Sequence, residues 1–104
     1  MRERDLVNKI LARLRADHPD GLWVKLHGGP MQRAGLPDIL GVVSGHAIAL
    51  EVKLPGRPHE VTDLQQYTLD KLAKAGAIAA VVDDVDDARV LVRNVLEGIR
   101  AVGG

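Results

Sequence analysis

The chain has no cysteine and no phenylalanine, and only one tryptophan and one tyrosine among its 104 residues. Without cysteine there is no disulfide and no thiolate metal site. With so few rings, base stacking on aromatic platforms is a poor candidate to drive contact with nucleic acid. The core has to be built from Leu, Val, Ile and Ala. Charge of one sign is also missing: 14 Lys and Arg balance 14 Asp and Glu, for a formal net charge of zero. That argues against a strong non-specific hold on a phosphate backbone, although charge is segregated locally. Acid gathers at Asp83, Asp84, Asp86 and Asp87, while Arg2, Arg4, Lys25, Arg33 and Arg57 are scattered. No pair of histidines has zinc-ligand spacing. No apolar run approaches a membrane span and no signal peptide opens the chain, so a cytoplasmic protein without a membrane partner is expected. The length fits one small domain over 1–104.

What is present centres on Gly35 to Lys53, GLPDILGVVSGHAIALEVK. Two apolar runs, Ile39–Val43 and Ala47–Val52, flank Ser44-Gly45-His46, which predicts a β-hairpin. With Ser44-Gly45 as a two-residue loop, Val43 faces His46, and the same register puts Asp38 directly opposite Glu51. Directly opposed residues share a face, and Lys53, two beyond Glu51, projects from it as well. Two carboxylates and an ammonium therefore gather at the open end of the hairpin. Carboxylates that close repel unless a cation intervenes. A hard ion such as Mg2+ takes one or two carboxylates together with water and substrate phosphate, and the Val52 carbonyl adds a third protein oxygen. Metal beside Lys53 is a combination suited to phosphodiester hydrolysis. Pro37-Asp38 or Glu-x-Lys alone is common, and a solvated hairpin end is the bland alternative. The register that assembles them favours a functional site.

Around this hairpin the chain reads in order. Residues 3–17 carry Leu6, Val7, Ile10, Leu11 and Leu14 at helical spacing, with Glu3 where acid suits the helix dipole. Leu22–His27 alternates as a first strand, with Leu22, Val24 and Leu26 on one face and Trp23, Lys25 and His27 on the other. His27 reads as an exposed strand residue. A Gly-rich loop follows, without P-loop spacing, in which Arg33 is a candidate phosphate contact. The segment 54–60 is a Pro/Gly loop bordering the site, and Arg57 has the reach of a phosphate contact or of a solvated charge. Thr62-Asp63-Leu64-Gln65 fits a capping box. It opens a helix with an apolar stripe at Leu64, Leu69 and Leu72, ended by Gly76. Ala77–Val82 reads as a buried central strand. The Asp-rich turn at 83–87 caps a last helix, whose buried face is Ala88, Leu91, Val92, Val95, Leu96 and Ile99. The order α-β-β-β-α-β-α predicts an α/β fold, a mixed sheet of about four strands flanked by helices, with the last two strands parallel through a helical crossover.

Gly35-x-Pro37-Asp38, then Leu50-Glu51-Val52-Lys53, then Gln65 opening a helix that ends at Gly76-Ala77, resembles the VRR-NUC domain. This is a branch of the PD-(D/E)XK nuclease superfamily, and the resemblance runs from Glu3 to about Val92. It implies a PD-(D/E)XK nuclease-like core and a Mg2+- or Mn2+-dependent endonuclease. Asp38 and Glu51 would be metal ligands, with Val52, and Lys53 the catalytic lysine. It also offers Gln65 a place near that lysine and Glu3 an approach to the metal, beside their helix-start roles. Lys25, Arg33 and Arg57 are the candidate DNA contacts. Free-standing, virus-type members are small homodimers associated with branched DNA, especially four-way junctions. Larger members carry the domain at the end of DNA-repair nucleases. The alternative is a non-catalytic nucleic-acid-binding subunit that keeps the fold.

Overall fold

The structure, a computed structural model, describes residues 1–26 and 34–101, without the side chains of 100 and 101. The elements are α1 (Glu3–Asp17), β1 (Leu22–Lys25), β2 (Ile39–Val43), β3 (His46–Val52), α2 (Asp63–Lys74), β4 (Ile78–Val82) and α3 (Val85–Ala101), with one 3-10 turn at Pro58–Glu60. The sheet runs β1-β2-β3-β4, antiparallel except for the parallel β3–β4 pair. His27 and Arg33 lie outside the described residues.

The hairpin turn fixes the middle of the sheet. Ser44 and Gly45 have φ of 51° and 78°. Positive φ at both central residues is the two-residue turn whose twist suits flanking strands. Val43 pairs with His46 and Ile39 with Leu50, in the register that the turn predicts.

Cross-strand partners share a face, so Trp23, Gly41 and Ile48 lie together. With Ile39, Val43, Leu50, Val52 and Val82 they pack against Leu6, Val7, Ile10, Leu11 and Leu14 of α1 and Ala88, Val92 and Leu96 of α3. The core is thus aliphatic except at its centre, where Trp23 is almost wholly buried. A Cβ at Gly41 would collide with the Trp23 ring, so this glycine is where the ring finds room. Of the two alternating faces of β1, the one carrying Trp23 is inside, and Leu22 is left exposed.

Residues alternating with this set, Ala49 and Glu51 among them, point to the opposite face, where α2 crosses between β3 and β4. The expected stripe on α2 is not buried as a whole. Leu69 is buried, but Leu64 and Tyr67 are about half exposed, because one short helix covers two strands and meets no further layer. On α3, Leu91, Val95 and Ile99 are only partly buried. Nor is β4 the buried central strand that its composition predicts. It is an edge strand, with Val82 alone fully buried. A run of small apolar residues is compatible with either position, because alanine has little surface to expose. The sequence pattern could not distinguish them.

Candidate metal centre at the open end of the sheet

Asp38 precedes β2, Glu51 is near the end of β3, and Lys53 follows it. The approach to Asp38 is shaped by Gly35, at φ 84°, where a Cβ would stand 2.6 Å from Leu64 Cγ. The start of β2 is thereby held close under α2. Pro37, next in line, is buried.

At Asp38 the ladder departs from the simple pairing expected with Glu51. The Asp38 carbonyl accepts from Leu26 N–H at 2.8 Å, continuing the β1–β2 register, while its own N–H turns to the Leu50 carbonyl at 3.0 Å. Its side chain then reaches further along β3, and Oδ2 accepts from Val52 N–H at 2.8 Å. The two carboxylates still meet, but Asp38 is oriented by a bond to the backbone and not by direct opposition to Glu51. Lys53 N–H donates to the Val82 carbonyl at 3.0 Å. Alternation along the strand therefore turns the N–H and C=O of Val52 the other way, towards Asp38.

Glu51 is 2% exposed and Lys53 8%. Lys53 Nζ stands 3.7 Å from Glu51 Oε1. Glu51 Oε2 is buried and has no hydrogen-bond partner among the described residues. Glu3, in the first turn of α1, comes round the end of the sheet, and one carboxylate oxygen from each of Glu3, Asp38 and Glu51 lies within 4.8 Å of the others. Burial, first, and then the charge of nearby Asp38 push the Glu51 carboxyl up to about 8, with Lys53 opposing and Glu3 adding a little. One ammonium faces three carboxylates. The deficit is met by a proton on Glu51 or by a cation, and the donor set, all hard oxygen, suits Mg2+ or Mn2+. The orphaned Oε2 is the position that such an ion would satisfy.

Among solved structures, a chain described as a "VRR_NUC domain" is similar to this one with a TM-score of 0.69 and 25% identity, over 88% of this chain and 94% of that chain. The fold is that of a VRR-NUC domain. Its mixed four-stranded sheet with three helices is the PD-(D/E)XK-like core that the element order predicts, and a nuclease-type domain is what it specifies. No protein-family model and no curated protein matches the sequence.

Within this fold the other candidates are more dispersed. Gln65 is engaged in the capping box: its Oε1 accepts from Thr62 N–H at 2.9 Å and its own N–H donates to Thr62 Oγ1 at 3.1 Å. Its amide nitrogen forms no hydrogen bond among the described residues. Lys25 is tied to Asn8 Oδ1 at 3.3 Å, on the α1 side of the sheet. Arg57 is exposed and paired with Glu60 at 3.5 Å. The signal for Asn8 was absent from the sequence, because it matters only once α1 lies against β1. No helix among the described residues is long and apolar enough to cross a membrane.

Proposed function

We propose that this chain is a divalent-metal-dependent endodeoxyribonuclease that hydrolyses phosphodiester bonds in branched DNA such as a four-way junction, working as a homodimer. The hydrolytic part is carried by Glu51 Oε2, a buried carboxylate oxygen without a partner among the described residues, in a group of three carboxylates beside a buried lysine. Burying such an atom unpaired is costly, and a cation relieves the cost.

Asp38, Glu51 and the Val52 carbonyl would hold Mg2+ or Mn2+, with Glu3 at the rim. When bound, the ion supplies Lewis-acid stabilisation of phosphoryl charge and a lowered pKa for water. The chain's own groups do the positioning. The Val52 N–H fixes one Asp38 oxygen, Oδ2, and so orients the carboxylate. Lys53, held beside Glu51, presents its ammonium to the nucleophile or to a phosphate oxygen as charge develops, and Gln65 lends its amide nitrogen, which has no partner among the described residues. Lys25, Arg57 and Arg33 contact phosphates along the DNA, few enough to agree with zero net charge. The branched substrate is supported by the family resemblance, and two copies about a two-fold axis match a symmetric junction.

A panel of branched, flapped and linear DNAs, incubated with Mg2+ or Mn2+, tests this. Lys53→Ala should lower cleavage by roughly 10²–10³, the cost of losing one preorganised donor, and leave DNA affinity nearly unchanged. Equal loss of binding and cleavage would instead favour the non-catalytic binding subunit.

A further inference from the structure

The two edges of the sheet differ. On the β1 edge the Trp23 carbonyl is taken by Arg15, whose Nε and Nη2 donate to it at 3.3 and 2.8 Å, and the strand ends on Lys25. Such features keep an edge from pairing with another chain. The β4 edge has none of them. Ile78–Val82 is uncharged and contains no proline. The bond from Lys53 N–H to the Val82 carbonyl sets the parallel ladder, so residues 78, 80 and 82 face β3 and the backbone groups of Ala79 and Val81 turn outward. Among the described residues nothing pairs with them.

Charge indicates what fits there. Lys71 and Lys74 end α2, where β4 begins. Asp83, Asp84, Asp86 and Asp87 gather where β4 ends. A second β4, antiparallel across a two-fold near Ala80, brings the start of each strand beside the end of the other. Lys74 of each copy then approaches the Asp83–Asp84 turn of its mate. The charge of Asp84, with Asp83 and Asp86, holds the Asp87 carboxyl above its usual value, and an incoming lysine relieves that crowding. Apolar surface continues the edge. Arg89 and Arg93 line a cavity with Asp17 and His18 on the α1 side of α3, so half-buried Leu91 and Val95, each two residues on, lie across the helix towards β4.

We propose that the outer edge of β4 is where a second copy of this chain docks, by antiparallel β4–β4 pairing with Lys74 against Asp83 and Asp84 of its mate. This deepens the two-copy arrangement above and rests on it, but not on the metal chemistry. A two-fold perpendicular to the joined sheet keeps both Glu51 clusters on one face. Their β3 strands are three strand spacings apart, roughly 14 Å, so one DNA molecule meets both centres from one side.

The test is light scattering of the metal-free chain across micromolar concentrations. The wild type should be a dimer. Ala79→Pro, which removes an outward N–H and leaves the β3 ladder intact, should be a monomer with unchanged circular dichroism. Lys74→Glu should weaken dimerisation roughly tenfold, about one such step of affinity, and adding Asp84→Lys should restore it. An unweakened Lys74→Glu protein, or failure of the double variant to rescue, overturns the proposal even if Ala79→Pro does not fold. A dimer that persists in both variants places the interface elsewhere and overturns this proposal alone. A monomeric wild type that still cleaves DNA removes the two-copy reading as well.

Discussion

Among the described residues, three carboxylates come together twice, at Glu3, Asp38 and Glu51 and at Asp83, Asp84 and Asp87, with an oxygen from each within 4.8 Å of the others in both groups. The second group is at the surface and its oxygens have work in the fold. Asp83 Oδ2 accepts from Gly56 N–H at 2.9 Å and Asp84 Oδ1 from Asp87 N–H at 2.7 Å. Water screens what repulsion is left. The first group encloses Glu51, buried, with one oxygen 3.7 Å from a lysine and the other orphaned. Proximity of acids is therefore not what marks a metal centre. Of these two groups, the Glu51 one alone combines a buried carboxylate with an oxygen that has no partner among the described residues, and that is what the proposed metal site rests on.

The largest expected effect breaks this comparison at its centre. Glu51→Gln should reduce cleavage by at least roughly 10²–10³, as for loss of a group acting on developing charge, while Asp87→Asn should leave the rate on the same junction at the wild-type level. Comparable losses in both variants would mean that the two groups are not distinguished by burial. Next in size is the response to metal. Saturating Mn2+ should stabilise the wild type by mass action, about 2.7 kcal/mol at one hundred times the dissociation constant. Glu51→Gln should lose most of that shift in a thermal melt, and Asp87→Asn none of it.

Much of the Glu51 group was legible in the sequence, and the reason is local. Ser44-Gly45 admits a tight turn, the turn sets the β2–β3 register, and the register carries Glu51 and Lys53 to one face. The helix bounded by Thr62 and Gly76 was legible for the same kind of reason, because the capping box is a four-residue pattern. What escaped depends on contacts distant in sequence. Glu3 reaches the cluster only because α1 packs across the sheet, so composition and periodicity gave it no more than a helix-start role. The bond from Val52 N–H to Asp38 follows from a turned peptide at the start of β2, which no spacing rule announces. The edge position of β4 depends on which neighbours it lacks, and sequence patterns report only what a residue tolerates.

A third effect concerns pH, and its sign follows from Glu51. The folded protein holds this carboxyl up to about 8, above its ordinary 4.5. Between those values the folded state binds more protons than the unfolded one, so stability falls as pH rises. Metal-free protein should melt at progressively lower temperature from about pH 5 to about pH 8, and Glu51→Gln should flatten that slope. Bound metal should oppose it, because the ion competes with the same proton. A wild-type melting temperature that rises across this interval without metal would place Glu51 in a wetter setting than the structure gives it.

The smallest effect isolates the surface group. Asp84 precedes α3, and its Oδ1 meets the N–H of the third helical residue, Asp87. That is an N-cap bond, and losing one costs typically about 1 kcal/mol. Asp84→Ala should therefore lower stability by about that amount in urea titrations at concentrations too low for association. Asp84→Asn keeps a capping oxygen and removes a charge from a crowded group, so it should match the wild type or slightly exceed it. The pair separates two reasons for an aspartate at this position. If Asn fails as badly as Ala, the charge itself is being used, and the N-cap account of the exposed carboxylates is wrong. If Asn holds and Ala fails, Asp84 caps α3 through its oxygen and its charge is not required.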